Sequence, residues 1–510
     1  MAEQSPQVFL VGAGPGHPGL LTLRAVECLA QADLVVYDRL VPPRLLDHAP
    51  ADAERLCVAD LPGGHTERYP HVQNVLIEAA RAGKRVVRLK GGDPFLFGRG
   101  GEEAEALRQA GIAFEVVPGV TAALAAGAFA GIPLTQRSHA SAVALVTGHE
   151  DPAKPESGVD WAALARFPGT LAIYMGITRL GLIVQALLEN GRAPDTPAAV
   201  IRWAATGAQE TVESSLADLP KTVAEEGLKP PAVVIIGSVV RLRAQLAWFE
   251  QRPLFGKHVL STRPRAQAAE LAVRLEQEGA VTHIEPVIDI KEPADWGPVE
   301  RALQNLGRFN WLVFTSANGV QAFLGRLKHV GLDLRALGKS KLAAIGPGTA
   351  EALRAFHLKP DLVPLEYRSE SLALALKEPA RGQRVLLVRA DRGREVLREE
   401  LQAVADVEQV AVYAQVELDL QGSAVIDELR QGKIDYVTLT SSNIARALLR
   451  ALDAESRAQI VSGRVRLVSI SPVTSAAIKE MGLPVAAEAT VYTTTGVVEA
   501  LIGLAKKDNA

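Results

Sequence analysis

Cysteine, aromatic residues, net charge and long apolar runs are all scarce in this chain, and each shortage excludes something. Cys28 and Cys57 are the only cysteines in 510 residues, so neither a disulfide framework nor a structural zinc site is expected. Lysine and arginine number 55 against 58 aspartates and glutamates, a formal charge of -3. That balance offers no general attraction for nucleic acid or anionic membrane, so an anionic ligand must be held by local groups. The longest apolar stretch, about 122–134, is broken by Gly127 and Gly131 and falls short of the roughly 20 residues that span a bilayer. Residues 1–7 carry neither a basic nor an apolar signal-peptide region. A soluble, cytoplasmic protein without a metal is expected.

What is present is an ordinary globular mixture, 48% hydrophobic and 22% charged, with 43 glycines and 30 prolines. The length suggests roughly three to five domains. Short runs of Val, Ile and Leu (Val8–Val11, Leu34–Tyr37, Val86–Leu89, Ala142–Thr147, Leu171–Met175, Val233–Ile236) alternate with Ala/Leu/Glu-rich segments. This alternation predicts α/β domains with largely parallel sheets. A short joint, residues 251–256, divides the chain into two such series. Beyond it the sequence repeats. Thr315-Ser316-Ala317-Asn318 and Thr440-Ser441-Ser442-Asn443 lie 125 positions apart, as do Gly346 with Ser471 and Thr349 with Thr474; Arg263 and Arg389 lie 126 apart. The second half therefore reads as two related α/β domains.

In the first half, Val8–Val11 runs into Gly12-Ala13-Gly14-Pro15-Gly16-His17-Pro18-Gly19. Gly14–Gly19 matches the dinucleotide pattern GxGxxG, but two prolines inside it remove amides that a pyrophosphate would use. A structural turn and a nucleotide-type site both remain open from the loop alone. Lys90-Gly91-Gly92-Asp93-Pro94-Phe95-Leu96-Phe97-Gly98-Arg99-Gly100-Gly101-Glu102-Glu103 is a second and more specific glycine cluster.

With Tyr37-Asp38-Arg39-Leu40-Val41, Val117-Pro118-Gly119-Val120-Thr121-Ala122 and Tyr174-Met175-Gly176, that cluster resembles the tetrapyrrole methyltransferases, in particular the uroporphyrinogen-III C-methyltransferases, over about residues 6–250. The resemblance implies two α/β subdomains, about 1–118 and 119–250, with S-adenosylmethionine in the cleft between them. It places that donor against Pro15, Gly91, Gly92, Asp93, Leu96, Thr121, Ala122, Met175 and Ala205. It gives catalytic roles to Asp38, Arg99 and Glu102, and substrate contacts to Arg39 and Arg137, whose guanidinium groups suit a macrocycle rich in carboxylates. Each has a plainer reading: Asp38 as the cap of a following helix, Glu102 as a helix N-terminal acid, Arg99 and Arg137 as solvated cations. One departure stands out. Relatives carry Gly-Lys-Arg ahead of the histidine motif matching Gly64-His65, whereas this chain has Ala59-Asp60-Leu61, which puts that lysine's proton-donor role in doubt. Related methyltransferases also imply a homodimer through this half.

The repeated motifs of the second half are rich in hydroxyls. Thr-Ser-x-Asn between a strand and a helix offers hydroxyls and free amides to an anion; the plainer reading is helix capping by Asn318 and Asn443. Thr262-Arg263-Pro264, Phe314–Asn318, Ile345-Gly346, Val410-Ala411-Val412-Tyr413, Thr440–Asn443 and Ser471-Pro472-Val473-Thr474 resemble the uroporphyrinogen-III synthases over residues 257–505. Two flavodoxin-like domains are thereby implied, one from 257–290 plus 418–505 and an inserted one from 291–417, with the active site between them. Tyr413 becomes a candidate to position or protonate the leaving hydroxyl of hydroxymethylbilane, or else a packing tyrosine. Arg263, Ser316, Gly346, Ser441 and Thr474 become substrate contacts. The two resemblances fit consecutive reactions on tetrapyrroles. The rivals are a dinucleotide-dependent oxidoreductase, a methyltransferase for a later corrin precursor, and a second half that only binds its ligand.

Overall fold

The protein is seen in a computed structural model that describes residues 7–63, 68–149, 158–393 and 395–508. The Gly64-His65 motif lies outside them. Two compact units emerge, residues 1–257 with 276–281, and the remainder. No helix among the described residues is long and apolar enough to cross a membrane.

The first unit contains two five-stranded sheets. Strands β1 (Val8–Gly12), β2 (Leu34–Tyr37), β3 (Glu54–Cys57), β4 (Val86–Lys90) and β5 (Phe114–Val117) run parallel in the order β3-β2-β4-β1-β5. Side chains alternate across a strand, so β1 serves two cores. Phe9 and Val11 join Leu29, Leu45 and Val87 on one face, while Val8 and Leu10 join Val72, Leu76 and Leu107 on the other. Strand β4 is buried along its whole length although it carries Arg88 and Lys90, a pattern that demands buried partners.

The second sheet comprises β6 (Val143–Thr147), β7 (Thr170–Tyr174), β8 (Pro197–Arg202), β9 (Glu210–Ser215) and β10 (Ala232–Ile236), in the order β6-β7-β10-β8-β9. Only β6 and β7 are parallel; β7–β10, β10–β8 and β8–β9 are antiparallel. The expectation of largely parallel sheets, met by the first sheet, does not extend to this one. Residues 203–209 are too few for the crossover that a parallel pair needs, so β8 and β9 close as a hairpin-like pair.

In the second unit the chain lays down β11 (His258–Ser261) and β12 (Val281–Ile284) and then departs for an inserted lobe. That lobe is built on β13 (Ile288–Lys291), β14 (Trp311–Phe314), β15 (Lys341–Ala344), β16 (Arg384–Ala390) and β17 (Asp406–Glu417). The chain returns for β18 (Tyr436–Leu439), β19 (Arg466–Ser469) and β20 (Ala487–Glu488). The sheet orders are β12-β11-β18-β19-β20 and β13-β17-β16-β14-β15. Strand β13 pairs antiparallel with β17, with Ile288 opposite Glu417, and the Leu418 amide donates to the Val287 carbonyl at 3.0 Å. The crossing into the inserted lobe therefore lies at Val287, ahead of the boundary expected at 290.

Candidate functional site

In the first unit, three glycine-bearing strand ends meet backbone to backbone. Gly14 and Gly92 exchange amide hydrogen bonds of 3.2 and 2.8 Å, and the Ala13 amide donates to the Lys90 carbonyl at 2.7 Å. A Cβ on Gly12 would stand 2.5 Å from the Gly119 nitrogen. The first glycine loop is thus pressed against the second. No long helix opens directly from it; a short turn, Pro18–Leu20, precedes helix Leu23–Leu29, which is capped by Thr22. A dinucleotide site needs a helix N-terminus aimed at the loop, so the oxidoreductase rival loses its geometric basis.

Asp38 follows β2 directly, beside this junction. It does not cap a helix: the next helical turn, Pro43–His48, follows Pro42 and has no side-chain cap. Its Oδ1 accepts from the Arg88 guanidinium at 2.5 Å and its Oδ2 from the Gly91 amide at 3.4 Å. Burial pushes the Asp38 carboxyl up, but Arg88, Lys90 and the Gly91 amide outweigh it, and the group is held below the usual aspartate range. Behind it lies a cluster the sequence reading passed over. Arg88, Lys90 and Glu103 are at most 2% exposed, and one oxygen of Glu103 accepts from Arg88 Nε at 3.0 Å and Lys90 Nζ at 2.9 Å. Burial and the neighbouring Arg88 push the Lys90 ammonium down, with Glu103 opposing.

The other expected residues surround this centre with varied engagement. Asp93 is spent on the loop itself, accepting from the Phe95 amide at 2.8 Å and the Gly119 amide at 3.1 Å. Thr121 Oγ1 shares a 2.7 Å hydrogen bond with the Tyr174 hydroxyl, which also accepts from the Ala123 amide at 3.0 Å; Tyr174 is thus a further member of the site. Arg99 binds Glu102 at 3.0 Å and lies 3.4 Å over the Tyr69 ring. For Glu102 the effect of burial is outweighed by its own amide and by Arg99, which favour the carboxylate. It also sits in the first turn of helix Gly100–Gln109, so the helix-terminus reading holds as well. Arg39 and Arg137 are exposed and form no ion pair among the described residues.

Phe97, Arg99, Met175, Trp203 and Ala205 all have φ between 47° and 66°. Left-handed backbone at side-chain-bearing residues is costly and concentrates at functional sites. Only one other such residue, His357, occurs among the described residues. Met175 and Phe97 expose much of their side chains, Ala205 is buried, and a Cβ on Gly91 would meet nothing within 4 Å. Small residues, backbone groups and apolar side chains, with Tyr174 and Thr121 as hydroxyls, form a donor set that fits a sulfonium nucleoside better than a metal.

In the second unit the repeat is visible as geometry. Ser316, Gly346, Ser441 and Ser471 each lie two residues past a strand in extended backbone, with φ between -162° and -171°, and each precedes a helix as its N-terminal cap position. Ser316 accepts from Gly319 N at 3.0 Å, Ser441 from Ile444 N at 3.2 Å and Ser471 from Thr474 N at 3.4 Å. The caps are therefore serines. The expected cap residues are used elsewhere: Asn318 accepts from Gln267, and Asn443 donates to Gln415 at 2.9 Å. Thr474 is buried and bonds Ser471. A Cβ on Gly346 would stand 3.0 Å from the Tyr367 Cβ and 3.2 Å from its ring.

Arg263 follows β11 and reaches Gln267 at 3.1 Å, while its Nε has no hydrogen-bond partner. Burial pushes its guanidinium down, with Glu270 opposing. A half-buried cation whose hydrogen bond is to an amide is suited to an incoming carboxylate. Tyr413 on β17 packs in the core of the inserted lobe, and its hydroxyl lies 3.0 Å from Ser316 Oγ. Burial pushes that phenol up, against hydrogen bonds to Ser316 and Gln415. The tyrosine is at once a packing residue and a hydroxyl anchored on the first cap. Tyr413→Phe keeps the packing and deletes that hydroxyl. The ring closure that the resemblance implies should slow by about tenfold, less than the hundredfold or more of a full general acid, in a stopped-time assay of cyclised product.

Comparison with known proteins gives a match for each half. A family model described as tetrapyrrole (corrin/porphyrin) methylases fits residues 7–220, and one described as uroporphyrinogen-III synthase HemD fits residues 269–499. A porphyrin biosynthesis protein HemD from Ruminiclostridium josui is 34% identical over 450 residues, covering 87% of this chain and 88% of its own. A uroporphyrinogen-III C-methyltransferase from Bacillus subtilis (strain 168) is 39% identical over 342 residues, covering 66% of this chain and 69% of its own. An S-adenosyl-L-methionine-dependent uroporphyrinogen III methyltransferase from Methanosarcina barkeri is 48% identical over 252 residues, 49% of this chain and 98% of its own.

Proposed function

We propose, from the premise that the chain belongs to the tetrapyrrole methylases over its first half and to the uroporphyrinogen-III synthases over its second, that it is a bifunctional enzyme of tetrapyrrole synthesis. The second half closes hydroxymethylbilane to uroporphyrinogen III with inversion of one ring. The first half methylates that product twice to precorrin-2, on the branch to sirohaem and cobalamin. The observation that carries the methyltransferase reading is Asp38: a carboxylate held ionised by Arg88 and the Gly91 amide, at the edge of a floor built from glycine backbone.

S-adenosylmethionine would supply an electrophilic methyl group on a sulfonium. Gly91, Gly92, Thr121, Ala122, Met175 and Ala205 are the residues to hold it, since the small ones offer backbone amides and carbonyls with little bulk and Met175 offers an exposed apolar side chain. Methyl transfer is mostly positioning, and that floor fixes position by backbone contacts. Asp38 takes the proton that the methylated macrocycle must lose. Arg99 is braced by Glu102 and Tyr69 and, with Arg39 and Arg137, meets the acceptor's carboxylates. In the second half Arg263 and the serine-capped helix starts at Ser316, Ser441 and Ser471 receive carboxylates of the linear substrate, with Gly346 and Thr474 beside them. Tyr413 assists departure of its hydroxyl.

The test supplies purified protein with hydroxymethylbilane, with and without S-adenosylmethionine, and resolves products by mass and isomer. Isomer III without the donor and a dimethylated product with it are expected. Isomer I alone would leave the second half a binding module. Isomer III that never gains methyl mass would sink the methyltransferase reading.

A further inference from the structure

Four charged side chains form a continuous line through the first unit, and only one of them reaches the open site. Asp38 retains 32% of its side-chain exposure, while Arg88 has 2%, and Glu103 none. Arg88 is the link: its Nη2 binds Asp38 at 2.5 Å, its Nε binds Glu103 at 3.0 Å, and its Nη1 lies 3.4 and 3.3 Å from the carbonyls of Val36 and Leu89. Glu103 takes Lys90 on the same oxygen that takes Arg88, and its second oxygen accepts no hydrogen bond. Two carboxylates thus face two cations.

Such a cluster is expensive to bury, and apolar residues of similar volume would serve stability as well or better. Helix Gly100–Gln109 already contributes Ala104 and Leu107 to that core face, so Glu103 is not needed to fill it. Its unused oxygen argues the same way, because a carboxylate kept for architecture would be bonded at both ends. What the arrangement does achieve is division of one guanidinium between two carboxylates.

We propose that the buried carboxylate of Glu103 is a positioning residue for methyl transfer, sharing Arg88 with Asp38 and so setting how firmly Asp38 is held as a base. This rests on the reading of the first half as a methyltransferase acting through Asp38. Without Glu103, Asp38 alone would face both Arg88 and Lys90. The carboxylate would then be bound more tightly and become a weaker proton acceptor. The other groups facing this cluster are Tyr69, from helix Arg68–Arg81, which senses both Asp38 and Glu103, the Gly91 amide, and Glu102, which senses Lys90.

The experiment compares full-length wild type with Glu103→Gln. It reads S-adenosylhomocysteine binding by calorimetry, kcat for methylation of supplied uroporphyrinogen III across pH, and ring closure by the second half. The expected result is kcat lower by about tenfold or more at neutral pH, with the acid limb of its profile displaced about one unit downward. S-adenosylhomocysteine binding and ring closure should be unchanged. Arg88→Lys keeps the charge but loses the two-sided fork, so its acid limb should move upward; a general loosening of the fold cannot move the two limbs in opposite directions. An unshifted limb in Glu103→Gln overturns the proposal, and should that variant not fold, an unshifted limb in Arg88→Lys overturns it. A wild type that produces no methylated product sinks the methyltransferase reading itself, an outcome separate from these.

Discussion

Asp38→Asn will lower kcat for methyl transfer by about a hundredfold to ten-thousandfold, while S-adenosylmethionine binding stays within about twofold. The amide cannot accept the proton that the methylated ring must release, and the substitution preserves volume, so the backbone bonds of Gly92 and Ala13 have no reason to move. Arg88 keeps Glu103 as a partner, so the variant leaves no cation stranded, and the first unit should remain folded. Single-turnover methylation with saturating donor separates the two effects. A drop in donor affinity with kcat intact would remove Asp38 from the chemistry. The same carboxyl also links folding to pH. Its folded value lies below the ordinary aspartate range, so the stability it contributes is complete above the unfolded value near 3.9 and is lost only as pH falls through the lower, folded one. Acid denaturation of Asp38→Asn should lack that component.

Gly119→Ala should be more damaging to binding than any side-chain deletion in the site. The new methyl group would fall well inside contact distance of the Gly92 carbonyl oxygen, and 2.8 and 2.9 Å from Cα and C of Gly12. Every one of these neighbours is backbone, so no rotamer change relieves the overlap, and the junction of the two glycine loops must open. Overpacking of this kind costs about 1–3 kcal/mol or more. A displacement near 1 Å in a positioning site costs roughly a hundredfold. Donor affinity should therefore fall by about a hundredfold or more, with a lower melting temperature for the first unit and ring closure unaffected. Gly91→Ala is the informative contrast: its Cβ meets no protein atom within 4 Å, so it should leave stability alone and weaken donor binding only if the donor lies against Gly91. Calorimetric titration beside thermal unfolding distinguishes the two substitutions.

Much of the architecture could be read from residue patterns because buried strands are continuous apolar runs. Direction was less legible. The antiparallel pairs β8–β9 and β8–β10 follow from the lengths of connections, and the apolar pattern of Pro197–Arg202 is the same whichever way its neighbour runs. The Glu103 cluster left a trace that was not used: Val86-Val87-Arg88-Leu89-Lys90 has a strand's alternation with cations at two buried positions, which calls for acids on whatever helix covers that face. The left-handed backbone at Phe97, Met175 and Ala205 left no trace at all, since ordinary side chains do not announce a positive φ. In the second half the 125-residue offset exposed the duplication, yet assigned its caps to the wrong residue. The helices start at Ala317 and Ser442, which makes the preceding serines the capping positions and frees Asn318 and Asn443 for contacts with Gln267 and Gln415.

The crossing at Val287 and Leu418 means that the inserted lobe is attached to its host by two neighbouring chain segments that run side by side. Any movement of the inserted lobe relative to its host must bend that narrow ribbon, so the motion available is a hinge and not a slide. Because departure and return lie one hydrogen bond apart, residues 288–417 also form a cassette: excised and bridged by a few residues, they should leave the two ends of the host lobe in register. The inserted lobe can thus be lengthened, exchanged or lost without disturbing the sheet that anchors it.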